Sequence, residues 1–341
     1  MNSLFSPYIA HSGVVILDGA LATELESRGA DINDPLWSAR LLIENPALIQ
    51  QVHYDYLEAG ADVIISASYQ ASFEGFARRG IAAGEAKALM QLSVELALAA
   101  RRDFLRDRAS RINPDPGTES PASPTAALAV PPPLAAAPSL VGPPPLVAAS
   151  IGPYGAFLAD GSEYRGNYGV SIEQLMDFHR PRLAVLAESG ADLLACETIP
   201  CLDEGIALVR LLKEFPSVKA WISFSCKNPE QVCDGGAFAD CAALAGESGQ
   251  VAAVGINCTD PRFIESLVTI ASAVTDKPVL TYPNKGETWD GLHKCWVPAA
   301  EPIDFGTTAS QWYKAGALLI GGCCRTTPAD IRQLVRQFSN R

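Results

Sequence analysis

Short apolar runs alternate with longer amphipathic stretches along almost the whole chain. The runs cover residues 14–18, 62–68, 146–151, 192–198, 219–226, 251–258, 278–282 and 318–323. They are rich in Val and Ile and show little polar alternation, as expected of parallel strands buried on both faces. Between them, apolar positions recur at helical spacing over 46–59, 83–108, 171–189, 203–215, 237–248, 261–274 and 307–315, and again over 328–338 after the last run. Asn45-Pro46, Asp260-Pro261 and Thr327-Pro328 place a capping side chain before a proline, a helix-start signal. The sequences 58–62 (EAGAD) and 188–192 (ESGAD) each read as a helix end, a glycine cap and the next strand.

Eight strands, each followed by a helix, predict a single-domain α/β (β/α)8 TIM barrel over residues 1–341. A doubly wound open sheet is the alternative. No glycine-rich dinucleotide fingerprint follows the first run, and polar residues gather at many run ends rather than at one crevice, so the barrel is preferred. Residues 110–147 break the alternation. This stretch is dominated by Pro, Ala and Ser and contains two Pro-Pro-Pro triplets, which neither a helix nor an interior strand accommodates. It reads as a disordered or polyproline-like insertion between the second helix and the third strand.

Composition narrows the partners. Of 341 residues 48% are hydrophobic, enough for a large core, and the formal net charge is −12 with no basic cluster. That balance disfavours nucleic acid and anionic membranes and leaves small zwitterionic or cationic substrates open. No uninterrupted apolar stretch approaches the ~18 residues of a membrane span, and the N-terminal residues lack the pattern of a secretory signal. The nine cysteines are odd in number and irregularly spaced. Reduced thiols in a cytoplasmic protein are the simplest reading.

In a parallel barrel, chemistry gathers where the strands end. Cys258 closes the sixth run and Cys323-Cys324 the eighth. Three thiols delivered there suggest a zinc site with three protein ligands and one open position, the pattern of a catalytic rather than a structural centre. Neighbouring residues on a strand face opposite ways, so both adjacent cysteines can reach one ion only if the chain departs from extended geometry, which Gly321 and Gly322 would permit. A three-thiolate centre is poorly suited to hydrolysis but well suited to holding a substrate thiol deprotonated. Alkyl transfer to sulfur is the natural reaction. None of the four histidines (11, 53, 179 and 293) lies at a run end, which disfavours a zinc hydrolase. A non-enzymatic thiol or zinc redox sensor is the competing class.

The ordered motifs resemble the homocysteine S-methyltransferase family. They are LDGALATEL at 17–25, SASYQA at 66–71, GPYG at 152–155, ETIP at 197–200, GINC at 255–258, YPN at 282–284 with GETW at 286–289, and GGCC at 321–324. The resemblance implies zinc held by Cys258, Cys323 and Cys324, and an L-homocysteine amino group met by Asp18 and Glu197. Ser66, Ser68 and backbone N–H groups near Gly19 or Asn257 are weighed for the homocysteine carboxylate. The stretch 152–164 resembles the branch whose methyl donor is S-methylmethionine or S-adenosylmethionine. A sulfonium donor would meet aromatic faces and carboxylates, and Tyr154, Phe157, Tyr164, Tyr282 and Trp289 are the aromatic candidates. A betaine- or selenocysteine-using relative is the alternative within the family.

Overall fold

The computed structural model describes residues 4–32, 36–112, 142–290, 295–297 and 303–339. Among the described residues there are ten strands: β1 Val15–Ile16, β2 Val63–Ile65, β3 Leu146–Ile151, β4 Leu193–Ile199, β5 Ala220–Phe224, β6 Val251–Asn257, β7 Val279–Tyr282, β8 Thr288–Asp290, β9 Cys295–Val297 and β10 Ala317–Ile320. Eight of them form one parallel sheet in the order β1-β10-β7-β6-β5-β4-β3-β2. The sheet closes on itself through a parallel bridge between Leu17 and Val63, with Asp18 N donating to Val63 O and Asp62 N to Ile16 O. The expected eight-stranded barrel is therefore the fold. β8 and β9 pair antiparallel as a separate hairpin following β7.

Alternation along each strand divides the core in two. Val15, Leu17, Val63, Leu146, Ala148, Leu193, Ala195, Trp221, Ala253, Leu280, Tyr282 and Leu319 fill the barrel interior, and Phe5 and Tyr8 from the N-terminal helix join them. The intervening residues, such as Ile64, Val147, Leu194, Cys196, Ile222 and Val254, pack outward against the helices. Both faces are buried, which is why the strands read as continuous apolar runs rather than alternating ones. Each fully buried Leu, Ile or Phe contributes roughly 1.5–3 kcal/mol.

Several boundaries differ from the sequence reading. The strands end at Ile16, with the closing bridge at Leu17, and at Ile65, Ile320 and Asn257, so Asp18, Ser66, Ser68, Cys258, Cys323 and Cys324 lie in the loops just beyond rather than on the strands. There, single backbone hydrogen bonds such as Ser66 N to Ala148 O and Cys258 N to Tyr282 O are joined by side-chain ones. The helix expected over 83–108 runs from Ala83 to Ile112, and β3 begins at Leu146. Residues 110–112 and 146–147 are therefore regular structure instead of insertion, the first continuing a long helix and Leu146 and Val147 buried in the sheet; 113–141 lie outside the described residues. Asn45 and Asp260 cap as expected, accepting from Leu48 N and Arg262 N. At Thr327 the direction reverses, and the Asp330 carboxylate accepts from Thr327 N and Oγ1. Gly60 and Gly190, the caps of the repeated motif, have φ of +100° and +84°, a region where glycine carries no Cβ penalty. No helix among the described residues is long and apolar enough to cross a membrane.

Candidate metal and substrate site

Three thiols meet where β6 and β10 end. Sγ of Cys258 lies 2.8 Å from that of Cys323 and 3.6 Å from that of Cys324, and all three fall within 4.8 Å of one another. Metal–sulfur bonds of about 2.3 Å in a tetrahedral site place sulfurs roughly 3.8 Å apart. The Cys258–Cys324 separation is close to that spacing and the Cys258–Cys323 separation is tighter, and the soft donors suit a thiophilic ion. It is the only cluster of its kind among the described residues that could hold a metal ion. Hydrogen bonds from Cys258 and Cys323 hold the Cys324 thiol well below its ordinary pKa, while the same contacts and burial hold Cys323 well above.

The backbone solves the problem of two adjacent ligands with a turn. Thr326 N donates to Cys323 O at 3.0 Å, closing a β-turn in which Arg325 has φ +71°. Lys285 N donates to Cys324 O at 3.1 Å and Arg325 N to Thr23 Oγ1 at 3.1 Å, fixing the turn from two sides. Cys258 itself has φ +49°. The unusual backbone angles thus fall on Cys258 and Arg325, whereas Gly321 and Gly322 serve close approach. A Cβ on Gly321 would lie 2.5 Å from Leu17 Cβ, and one on Gly322 would lie 2.4 Å from Thr326 Oγ1. That closeness lets Gly322 N donate to Asp18 O, which brings the end of β1 beside the cysteines.

Two carboxylates face the same space. Asp18 Oδ2 accepts from Ile65 N at 2.8 Å, and Oδ1 is buried without a hydrogen-bond partner. Burial pushes its pKa well above the ordinary carboxylate range, and Glu197 adds to the effect. Glu197 follows Leu193 and Ala195 on the inward face of β4. Its Oε1 accepts from Ser150 Oγ and its Oε2 from Tyr282 Oη at 3.0 Å. Burial raises it to about 7, against the pull of those two hydroxyls. A pair of buried carboxylates with raised pKa values and one open oxygen is arranged to receive a cationic group.

Asn257 is wholly occupied in bracing. Its Oδ1 accepts from Thr198 N at 2.7 Å and Ser223 Oγ at 2.8 Å, while Nδ2 donates to Thr198 Oγ1 at 2.8 Å. These bonds hold Thr198 at φ +62°, strained for a β-branched residue, where β4 shifts register against β5. Ser66 and Ser68 are braces as well. Their hydroxyls lie 2.8 Å apart, Ser66 Oγ accepts from Ser150 N, and Ser68 Oγ donates to Ser150 O. Their protons are consumed in tying the end of β2 to β3. Gly19 is required for packing, since a Cβ there would lie 2.9 Å from both Thr326 Oγ1 and the Tyr56 ring.

The aromatic candidates separate. Tyr164 Oη lies 3.5 Å from Cys258 Sγ while 42% of the residue stays exposed, so the ring spans from solvent to the thiols. Tyr282 is buried inside the barrel, and Trp221 Nε1 donates to its oxygen at 3.1 Å. Tyr154 and Phe157 pack against Phe178 at 5.0 and 5.3 Å, away from the thiols. Strand β8 contains Trp289, but its side chain lies outside the described residues.

One charged network escaped the sequence reading. Glu204, fully buried, accepts from Tyr154 N at 2.6 Å, His179 Nε2 at 2.8 Å and Tyr168 Oη at 3.0 Å. Arg182 donates to His179 Nδ1 at 2.7 Å and to Gly152 O. Arginine can only donate, so Nδ1 accepts and the histidine is the neutral Nε2–H tautomer. Burial, with Arg182 adding, lowers His179 to about 4. The network pins the loop after β3 to the helix Ile172–Ala187. A signal existed: His179 and Arg182 fall on the same helical stripe as Leu175, Phe178 and Leu186.

The family model for homocysteine S-methyltransferase matches residues 15–338. The chain is 50% identical over 322 residues to homocysteine S-methyltransferase YbgG of Bacillus subtilis, covering 94% of this chain and 93% of that one. It is 47% identical over 335 residues to homocysteine S-methyltransferase 2 of Zea mays, covering 97% and 91%. The metallated form of the Escherichia coli homocysteine methyltransferase MmuM superposes with a TM-score of 0.80 at 42% identity, covering 98% of this chain and 99% of that one. A closed barrel whose mouth gathers three thiols beside two carboxylates, carried by a sequence this similar over nearly its full length, makes the chain a methyltransferase of the homocysteine S-methyltransferase family.

Proposed function

We propose that the chain transfers a methyl group from a sulfonium donor, S-methylmethionine or S-adenosylmethionine, to the thiol of L-homocysteine, giving methionine. The observation that carries this reading is the convergence of Cys258, Cys323 and Cys324 within 4.8 Å, a short step from Asp18 and Glu197. The three cysteines are proposed to hold Zn2+. When bound, zinc supplies a Lewis acid that keeps the acceptor sulfur deprotonated near neutral pH.

The chain's own residues then bind and orient. Asp18, with one oxygen left open, and Glu197, aimed by Ser150 and Tyr282, receive the ammonium group of homocysteine. Backbone N–H groups near Gly19 or Asn257 are the remaining candidates for its carboxylate. Tyr164 stands over Cys258 and offers an aromatic face to the approaching sulfonium. The donor S–CH3 bond breaks as the acceptor S–CH3 bond forms, and the bonding pair stays on the donor sulfur. A thiolate and a sulfonium become two neutral thioethers. Charge is lost along this coordinate, so a site shielded from water lowers the barrier. No proton moves in the transfer step, and no general base is assigned to it.

A donor panel tests the reading. Metal-loaded protein with L-homocysteine is offered S-methylmethionine, S-adenosylmethionine, betaine or methyltetrahydrofolate, and methionine is followed by mass spectrometry. Turnover with a sulfonium donor is expected. Turnover with betaine or the folate alone would overturn the donor assignment.

A further inference from the structure

Glu163 sits in the short turn Ser162–Tyr164 at the barrel mouth and is held there from two sides. Its backbone rests on Gly155, where a Cβ would come within 2.4 Å of Glu163 N, and its carbonyl accepts from Ser225 Oγ at 3.3 Å. The next residue, Tyr164, reaches the metal-site thiols, with its hydroxyl 3.5 Å from Cys258 Sγ. Yet Oε2 of Glu163 is withdrawn from solvent and has no hydrogen-bond partner. The nearby cation does not relieve it. Arg165 is turned to Asp160, at 3.4 Å, and to Ser162 Oγ, at 3.1 Å.

A buried carboxylate oxygen without a donor is costly, and folded proteins seldom retain one without a use. The two other carboxylates near the mouth are engaged differently. Glu197 takes one hydroxyl donor on each oxygen, and Asp18 takes a backbone N–H on Oδ2 while its Oδ1 stays open; of the three, only Glu163 adjoins the Tyr164 ring in its own turn. A sulfonium ion carries a full positive charge but has no N–H or O–H to donate. A site for it needs a counter-charge whose oxygen is not already claimed, whereas an ammonium site shares its oxygens with hydrogen-bonding neighbours. Building on the sulfonium-donor reading above, we infer that Glu163 is the counter-charge for the sulfonium methyl donor and sets the preference for a cationic over a neutral sulfur compound.

The field at this position fits such a role. Burial pushes Glu163 up to about 7, with Cys258 adding to the shift and Arg165 opposing it. An arriving cation would restore the ionised form that burial disfavours. The adjacent Tyr164 ring would supply the aromatic face, so turn residues 163 and 164 together give charge and π-surface to one group.

The test is Glu163→Gln, which keeps the shape and removes the charge, with Glu163→Ala as a second variant in case the amide perturbs the turn. Steady-state rates are measured against S-methylmethionine at saturating homocysteine, and against homocysteine at saturating donor. Metal content is read by mass spectrometry and donor binding by calorimetry. The donor KM should rise about tenfold or more, as expected for losing a partly buried charge contact. The homocysteine KM and metal content should stay at wild-type values. Calorimetry should show the preference for S-methylmethionine over methionine shrinking by the same factor. An unmoved donor KM in both variants, or a rise confined to the homocysteine KM, would overturn the inference while leaving sulfonium use intact. A wild-type protein inert toward both sulfonium donors would instead sink the reading on which it rests.

Discussion

The phenol of Tyr282, on β7, donates to Oε2 of Glu197, on β4, across the barrel interior at 3.0 Å. The phenol oxygen of Tyr282 in turn accepts from Trp221 Nε1 and lies 2.8 Å from Ser223 Oγ. Tyr282 therefore acts through Glu197, fixing the direction of a carboxylate assigned to the homocysteine amino group. Tyr282→Phe removes one charge-assisted hydrogen bond worth about 1.5–3 kcal/mol. The homocysteine KM should rise roughly tenfold with metal content unchanged, and Glu197→Gln should raise it further. Equal KM values in wild type and Tyr282→Phe would remove the tyrosine from this role.

The thiol trio makes a stoichiometric prediction. Wild-type protein should carry one zinc ion per chain, and Cys258→Ser, Cys323→Ser and Cys324→Ser should each lose the metal and methyl transfer together. Elemental analysis alongside methionine formation checks this. Full turnover by a metal-free single variant would end the three-thiolate assignment.

Glu204 and Arg182 should couple strongly. Glu204→Leu alone leaves the Arg182 guanidinium buried and short of its countercharge, a loss of about 3–5 kcal/mol. Combining it with Arg182→Met removes the stranded charge, so the double variant should unfold at higher urea than the sum of the single losses implies. Strict additivity would mean that the network carries no mutual stabilisation.

Acid should expose the buried imidazoles. His53 is fully buried, neither ring nitrogen has a hydrogen-bond partner, and burial lowers its pKa to about 4. The unfolded chain, near 6.5, binds the proton first as pH falls. The stability due to neutral His53 is complete above 6.5 and is lost progressively down to about 4. The buried carboxylates Glu197 and Asp62, raised to about 7 and about 6, run the other way, so the informative quantity is a difference. Between pH 7 and pH 5, His53→Leu should lose about 2 kcal/mol less than wild type in urea titrations. Parallel pH profiles would contradict the assignment.

Gly255 governs the approach of β6 to β7. A Cβ there would lie 1.8 Å from the Leu280 carbonyl oxygen, a backbone atom that cannot step aside. Gly255→Ala should cost about 3 kcal/mol or more and displace Cys258, three residues on. A lowered Tm accompanied by weaker zinc retention is expected; a wild-type melting curve would refute the clash.

The barrel was legible because both faces of every strand are covered, which writes each strand as an apolar run that no other element imitates. The thiols were legible for a similar reason: two of them adjoin after a run, and their chemistry demands a common partner. The braces were not. Ser66, Ser68 and Asn257 sit at strand ends like ligands, and nothing in their spacing tells a hydroxyl bonded to a neighbouring carbonyl from one left for a substrate. The His179–Glu204–Arg182 network depends on three-dimensional pairing between two helices and a loop, which spacing along one chain does not encode. Glu163 was hidden for the opposite reason, since its distinguishing mark is a missing partner.

The chain leaves its longest helix at Ile112 and re-enters the barrel at Leu146, where the strands begin, whereas the cysteines lie where the strands finish. Lengthening, trimming or tagging the connection between those two anchors should therefore leave the catalytic entrance untouched. Protein immobilised or fluorophore-labelled beside the anchor at Leu146 would present its open mouth outward, a ready geometry for a biosensor.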